Sequence, residues 1–231
     1  RLPDLEHELR AAFDLTDVRV ASRGVESSVK VEAQVGEQAA QLLLERARDS
    51  MTIALSWGRA LESMVHAATA DREVAVTLVQ LVGGLPSATN HVSPAELVRE
   101  LAVRLGASYR LLHTPAALGS LVAVRGLMSD LLISHALDDA RGADMAFVGI
   151  GTPDQGSSGA LVESLQLSTA EERSFWDAQP VGDIALRYFD GHGSPVRGAV
   201  DDRIVAVSLE ELRRIPNVVG VAYGTAKTAG V

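Results

Sequence analysis

Residues 51–65 read MTIALSWGRALESMV, and this stretch indicates the fold. Its first six residues form a short apolar run, which is typical of a strand buried on both faces. A turn at Gly58 follows at once, and apolar side chains then recur at Leu61, Met64 and Val65 with the spacing of one helix face. The stretch therefore predicts a strand, a glycine turn and a helix, which together form the repeating unit of a parallel α/β sheet.

The same alternation of strands and helices continues along the chain. Several predicted strands lack a polar face, as parallel strands covered on both sides do. Helix starts are marked at Ser93-Pro94-Ala-Glu96 and at Ser168-Thr-Ala-Glu171, where a serine precedes an acidic residue of the first turn. We therefore predict a doubly wound α/β fold with a mostly parallel sheet and helices on both faces. The other predicted strands are 17–21, 73–82, 107–112, 143–150, 184–189, 203–207 and 218–222, and the other predicted helices are 3–14, 36–49 and 120–139.

Length and composition place the chain among globular proteins. Its 231 residues, 47% of them hydrophobic, suffice for a full core, and about 150 residues per domain allows one or two domains. We expect residues 35–231 to form one domain and residues 1–34 to serve as a connector or oligomerisation segment. The chain has no initiator Met and stops at Val231 beside a predicted helix start, so we expect a fragment that is truncated at its C-terminal end.

Charge and cysteine content exclude several classes of function. The net charge of −9 argues against unaided binding to the phosphate backbone of nucleic acid. The absence of cysteine excludes disulfides, thiol catalysis and zinc–thiolate sites. It fits a reducing compartment, although acidic secreted proteins can lack cysteine too, and we expect a cytoplasmic protein. No apolar run reaches the roughly 18 residues of a membrane span, and we expect no membrane partner. The six histidines are scattered without ligand spacing, so we expect no metal site.

Glycine-rich turns follow three of the predicted strands, at Ser56–Arg59, at Gly83-Gly84 and at Gly149–Gly159. Ligands of open α/β sheets bind at the carboxyl ends of the strands, where glycine lets backbone amides approach and a helix N-terminus favours an anion. The turns therefore predict a cradle for a small anionic molecule, although glycine at such a turn also has a purely structural use. No complete nucleotide-binding fingerprint occurs, so we expect no nucleotide cofactor.

Polar residues at three other positions are further candidates for binding this ligand. Asp183 stands just before a predicted strand, and Lys227 stands at a predicted helix start, where its charge opposes the helix dipole. That placement indicates an anion for Lys227 to hold, although a solvated surface lysine is the alternative. His91, next to Asn90, follows the second glycine turn.

The ordered set of these turns resembles the effector-binding domain of SorC-family bacterial transcription regulators over residues 30–231. The resemblance implies a fold similar to the Rossmann-like sugar-phosphate isomerases and a sugar or sugar-phosphate effector. It also implies a homo-oligomer, a dimer or a tetramer, and contact with operator DNA through a separate N-terminal helix-turn-helix domain that is absent from this chain. The matching segments are Ser56-Trp-Gly-Arg59, Gly83-Gly84, Tyr109-Arg-Leu-Leu112 to Thr114-Pro-Ala116, Gly149-Ile-Gly151, Gly182-Asp-Ile184, Arg187-Tyr-Phe-Asp190, residues 204–216, Val219–Gly224 and Lys227.

This resemblance favours an effector-sensing domain with no catalytic residues over an enzyme. The family commonly has threonine where this chain has Arg59 or Ala60, and Tyr223 stands where it often has glycine, so an unphosphorylated sugar or polyol remains an alternative to a sugar phosphate. The alternative function is an isomerase or deaminase of sugar phosphates, with Asp183 as its candidate base. The expected effector contacts are Gly58, Arg59, Ala60, Gly83, Gly84, Asn90, His91, Gly151, Asp183 and Lys227.

Overall fold

The computed structural model describes residues 2–22, 28–70, 73–85 and 93–231. Its strands are β1 (Thr52–Leu55), β2 (Thr77–Gln80), β3 (Ser108–Arg110), β4 (Met145–Gly149), β5 (Gly182–Ile184), β6 (Arg187–Phe189) and β7 (Asn217–Val221). Five of them form a parallel sheet in the order β3-β2-β1-β4-β7, and β5 and β6 form a separate antiparallel hairpin. The predicted α/β fold with a mostly parallel sheet is confirmed.

The helices follow the predicted positions closely where a side-chain cap marks their first residue. The hydroxyl oxygens of Ser93 and Ser168 each accept a hydrogen bond from the amide of the glutamate three residues later, and the carboxylate of that glutamate accepts one from the serine amide. These two predicted helix starts are confirmed. The helices are α1 (Pro3–Phe13), α2 (Ser28–Arg46), α3 (Arg59–Ala67), α4 (Pro94–Leu105), α5 (Leu121–Met128), α6 (Leu131–Arg141), α7 (Gly156–Ser164), α8 (Thr169–Asp177), α9 (Ala199–Asp202) and α10 (Leu209–Leu212).

The strand order reverses direction beside β1. From β1 the chain steps outward through β2 to β3, and it then crosses back to β4 on the other side of β1. Because parallel crossovers are right-handed, this reversal puts α3 and α4 on one face of the sheet and α6 on the other. Both faces of β1 and β4 are therefore covered, and Ile53, Leu55 and Phe147 are almost completely buried. A crevice opens between the carboxyl ends of β1 and β4, where the two halves of the sheet diverge.

Two predicted strands are wrong. Residues 17–21 lie outside the sheet and pair with the first residues of the chain: the Val20 amide donates to the Glu6 carboxylate at 2.8 Å, and the Leu2 amide donates to the Val20 carbonyl. Residues 203–207 make only isolated bridges: Val205 exchanges backbone hydrogen bonds with Gly83 and Ala116, and the Arg187 guanidinium donates to the carbonyls of Ile204 and Ala206. The partners of these backbone groups lie outside each segment, and no local pattern reveals them.

Two other predicted elements are each divided in two. The predicted strand 184–189 contains a hairpin turn, since Ala185 and Leu186 both have left-handed backbone angles and β6 folds back on β5. The predicted helix 120–139 is interrupted at Ser129, because the Asp130 carboxylate accepts from the amides of Leu132 and Ile133 and starts α6 afresh.

The role of residues 1–34 as a connector or oligomerisation segment remains a prediction. Helix α2 begins at Ser28, continues past residue 34 to Arg46 and packs against α3. None of the helices in the described ranges combines the length and the hydropathy that a bilayer crossing requires.

Candidate functional site

A cavity of about 370 Å³ opens at the carboxyl ends of β1, β4 and β7, at the point where the strand order reverses. This is the position at which doubly wound sheets bind their ligands, and the volume lies at the small end of the range for such sites. The lining residues are Ser56, Trp57, Gly58, Arg59, Ala60, Gly149, Ile150, Gly151, Thr152, Gln155, Gly156, Ser158, Asp183, Ala185, Tyr223, Gly224, Thr225, Ala226 and Lys227.

Two helices begin at the cavity without a side-chain cap. Helix α3 starts after Gly58 and α7 starts after Gln155, and neither preceding residue accepts a hydrogen bond through its side chain. By contrast, α4, α8 and α10 are all capped by serine. The first amides of an uncapped helix remain available to an external acceptor and carry the positive end of the helix dipole. The cavity therefore presents two helix N-termini that suit an anionic or oxygen-rich ligand.

Gly151 shapes the cavity by letting two segments approach closely. Its amide donates to the Asp183 carbonyl at 2.9 Å, so this amide is not available to a ligand. A Cβ on Gly151 would lie 2.0 Å from Asp183 Oδ1 and 2.4 Å from Ser158 Oγ. Glycine is required here by the packing of β4 against the β5–β6 hairpin, which brings Asp183 to the edge of the cavity.

Replacing Gly151 with alanine is expected to destabilise the protein and to displace Asp183. The added methyl group overlaps a buried carboxylate, and an overpacked site typically costs about 1–3 kcal/mol. Chemical denaturation would show a lower midpoint for this variant. Gly119→Ala is the control, because nothing lies within 4 Å of a Cβ there. Equal stability of the two variants would contradict the proposed packing.

Asp183 is an almost completely buried ionisable residue at the cavity, with only 2% of its surface exposed. Its Oδ2 accepts from the Leu186 amide at 3.1 Å, and its Oδ1 lies beside the Ser158 hydroxyl without a hydrogen bond of standard geometry from any described residue. Burial raises the pKa of this carboxyl, while the Ser158 hydroxyl, the Leu186 amide and the charge of Lys227 oppose that rise. A buried acceptor without a partner is costly, and a ligand hydroxyl would satisfy it.

Lys227 faces the same cavity from the short 3-10 turn Thr225–Lys227 that follows β7. Burial lowers the pKa of its ammonium, Asp183 and Glu32 raise it, and the nearby charge of Arg59 lowers it further. The Lys227 Nζ lies 5.8 Å from the centroid of the Tyr223 ring, and the Arg59 Cζ lies 5.7 Å from the same centroid. Two cations therefore converge on one aromatic ring at the cavity.

The structure brings six of the ten predicted contacts together: the cavity is lined by Gly58, Arg59, Ala60, Gly151, Asp183 and Lys227. Gly83 and Gly84 are not part of this lining. They pack against residues 114–116, where the Gly84 amide donates to the Thr114 carbonyl at 2.8 Å and a Cβ on Gly83 would lie 2.6 Å from Pro115. These two glycines therefore lie at a contact between backbone segments. Asn90 and His91 lie outside the described residues.

Sequence reasoning missed two lining residues of chemical interest, Gln155 and Ser158. Both belong to the glycine- and serine-rich run after β4, so the run itself was the available signal. The backbone of Ser158 is held by the Tyr188 hydroxyl, which donates to the Ser158 carbonyl at 2.9 Å. In the part of the chain that the structure describes, no three His, Asp or Glu side chains converge as a metal site would require.

Comparison with known proteins gives a family match over the whole chain. Residues 1–231 match the Sugar-bind family model, described as "Putative sugar-binding domain". The chain is 24% identical over 223 residues to the deoxyribonucleoside regulator of Bacillus subtilis (strain 168), which covers 96% of this chain and 70% of that protein. It is 28% identical over 233 residues to the sorbitol operon regulator of Klebsiella pneumoniae, which covers 98% of this chain and 72% of that protein.

The fold comparison agrees with the sequence comparison. The crystal structure of the full-length sorbitol operon regulator SorC from Klebsiella pneumoniae is similar to this chain with a TM-score of 0.88 and 26% identity. The similarity covers 97% of this chain and 72% of that chain. The matched region spans 52% of the length of one curated relative and 72% of the length of the sorbitol operon regulator.

Proposed function

Because the chain belongs to the sugar-binding domain family of SorC-type transcriptional regulators, we propose that the cavity at the ends of β1, β4 and β7 binds a sugar or sugar phosphate as an effector. The observation that carries this proposal is the unpartnered, buried Oδ1 of Asp183 at the cavity wall. A sugar hydroxyl would donate to this oxygen and remove the free-energy cost of leaving it unpaired.

The positive groups of the cavity complement the other end of such a ligand. Lys227 and the uncapped N-termini of α3 and α7 would hold a phosphate or another anionic group through charge-assisted hydrogen bonds. The exposed Arg59 would add a second positive charge. In this arrangement the backbone amides at Gly58 and Ala60 bind the ligand, so no side-chain hydroxyl is needed at position 60.

Effector binding would act on transcription through the other parts of the regulator. We propose an N-terminal helix-turn-helix domain that contacts operator DNA, a homo-oligomer, and residues 1–34 as the connector between them. Regulation then requires that the effector bind two states of the oligomer with different affinity. A protein that acts on the chromosome in this way works in the bacterial cytoplasm.

Replacing Lys227 with methionine is expected to weaken the binding of phosphorylated sugars about 10- to 100-fold and to leave neutral sugars less affected. The reason is the loss of a charge-assisted hydrogen bond in a partly buried site. Calorimetric titration with a panel of sugars and their phosphates measures the change. Lys30→Met is the matched control, since Lys30 is the other lysine of the chain and is exposed on α2.

The same panel decides between binding and catalysis. If no sugar or sugar phosphate binds the wild-type chain, the proposal fails. Conversion of an aldose phosphate to its ketose by the purified chain, lost in Asp183→Asn, would instead favour the isomerase alternative.

A further inference from the structure

The hydroxyl of Tyr223 connects the cavity to helix α2. Tyr223 lies two residues beyond β7, its ring lines the cavity, and its hydroxyl donates to the Glu32 carboxylate. These two residues are 191 positions apart in sequence. Burial raises the pKa of the Tyr223 phenol, and the hydrogen bond and charge of Glu32 raise it further, so the phenol keeps its proton and donates.

Glu32 is itself held in place by the packing of α2 against α3. Its other oxygen accepts from the Ser63 hydroxyl at 3.2 Å. Gly36, one helical turn beyond Glu32, lies so close to α3 that an added Cβ would stand 2.5 Å from the Ser63 carbonyl carbon. Residues four apart share one face of a helix, so the close contact at Gly36 keeps the Glu32 side chain directed towards α3. The carboxylate is therefore an anchor of fixed position.

The Tyr223 ring in turn contacts the two cations of the cavity. Arg59 comes from the first turn of α3 and Lys227 from the turn after β7, and both lie within 6 Å of the ring centroid. Cations are attracted to the face of an aromatic ring. Both are long side chains with many rotamers, so ordering them when a ligand binds costs conformational entropy. Contact with one fixed ring orders both side chains before the ligand arrives and therefore lowers this cost.

We propose that Glu32 is a positioning residue of the sugar site, which fixes the Tyr223 ring and thereby the placement of Arg59 and Lys227. The inference rests on the proposed function for its role in ligand binding. It assigns to the site a residue of the predicted 1–34 connector, and it makes helix α2 part of the cavity's supporting structure. Glu32 does not line the cavity and acts only through Tyr223.

The first test needs no ligand. The chain contains two lysines, Lys30 and Lys227, so isotope-labelled lysine gives two sets of side-chain NMR signals, one for each residue. The ring current of Tyr223 is expected to shift the Lys227 methylene signals upfield. Glu32→Ala should remove most of this shift, and Glu32→Gln, which keeps a hydrogen-bond acceptor, should retain it. Glu37→Ala, at an exposed position of the same helix, serves as the control and should change nothing.

The second test measures affinity, with D-ribose 5-phosphate as the probe. Glu32→Ala and Tyr223→Phe should each weaken binding about fivefold, because each removes the same hydrogen bond. The double variant should be no weaker than either single variant, since the two residues act as one unit. Glu32→Gln should bind within about twofold of the wild type.

The outcomes separate this proposal from the proposed function. A Lys227 signal that does not move in Glu32→Ala overturns the positioning role. Tighter binding of the probe in Glu32→Ala, with unchanged binding in Tyr223→Phe, also overturns it. That result would show that Glu32 acts only by repelling the phosphate of the probe. A wild-type chain that binds no sugar phosphate contradicts the proposed function, while the lysine signals still decide whether Glu32 places Lys227.

Discussion

Replacing Asp183 with asparagine is expected to stabilise the protein at neutral pH and to weaken effector binding about 10- to 100-fold. The folded protein buries this carboxylate with one oxygen unpartnered, which disfavours the charged form. Asparagine keeps the acceptor for the Leu186 amide and removes the charge. We expect the free energy of unfolding to rise by about 1–3 kcal/mol. Binding falls because a charged acceptor for the sugar hydroxyl is lost.

The stability difference should depend on pH in a defined direction. The folded pKa of Asp183 is raised above its ordinary value of 3.8, so the folded state holds its proton more tightly than the unfolded state. The contribution of such a group to stability falls as pH rises from the unfolded pKa through the folded pKa. The advantage of the asparagine variant is therefore absent below about pH 4 and complete at pH values above the folded pKa.

Asp190→Asn is the matched control, and its effect should have the opposite sign. The Asp190 carboxylate accepts from the amides of His192 and Ser194, and these hydrogen bonds lower its pKa. Its contribution to stability is present above the unfolded pKa and is lost as pH falls, so this variant should be less stable at neutral pH. Denaturation curves at several pH values, with calorimetry for binding, measure both variants. Wild-type affinity in Asp183→Asn would remove Asp183 from the site.

Replacing Arg187 with methionine is expected to lower the free energy of unfolding by about 3–5 kcal/mol, the largest stability loss predicted for this protein. The guanidinium is largely buried and pairs with the Asp201 carboxylate at 2.8 Å. It also donates to the carbonyls of Asp201, Ile204, Ala206 and Val207. Methionine fills similar space but leaves these acceptors and the Asp201 charge without their partner.

A second arginine on the same aspartate provides the comparison. Arg197 pairs with the other oxygen of Asp201 at 2.9 Å, but its side chain is 57% exposed. An exposed ion pair contributes about 0–1 kcal/mol, so Arg197→Met should have a small effect. Urea denaturation of the two variants measures the difference. Losses of equal size would mean that the carbonyls of residues 204–207 find water or other donors when Arg187 is removed.

Local sequence patterns are enough to predict the alternation of strands and helices and therefore the fold class. The decisive signals act over a few residues: an apolar run for a buried strand, a serine three residues before a glutamate for a helix start, and glycine between them. Ser93 with Glu96 and Ser168 with Glu171 form the expected capping boxes. For the same reason the turns after β1 and β4 could be predicted as cavity walls, since a parallel sheet places its carboxyl ends together.

Which of the candidate residues lie together depends on the packing of the whole chain. Gly83 and Gly84 follow a strand as Gly58 and Gly151 do, yet they pack against residues 114–116 and lie outside the cavity lining. In the segment 203–207 the carbonyls of Ile204 and Ala206 accept from Arg187, while the Val205 carbonyl accepts from the Gly83 amide. Local sequence does not encode such pairings, because each depends on groups that approach only after the sheet and its crossovers have formed. The contact of Glu32 with Tyr223 is of this kind, and it joins a helix near the start of the chain to a cavity formed near its end.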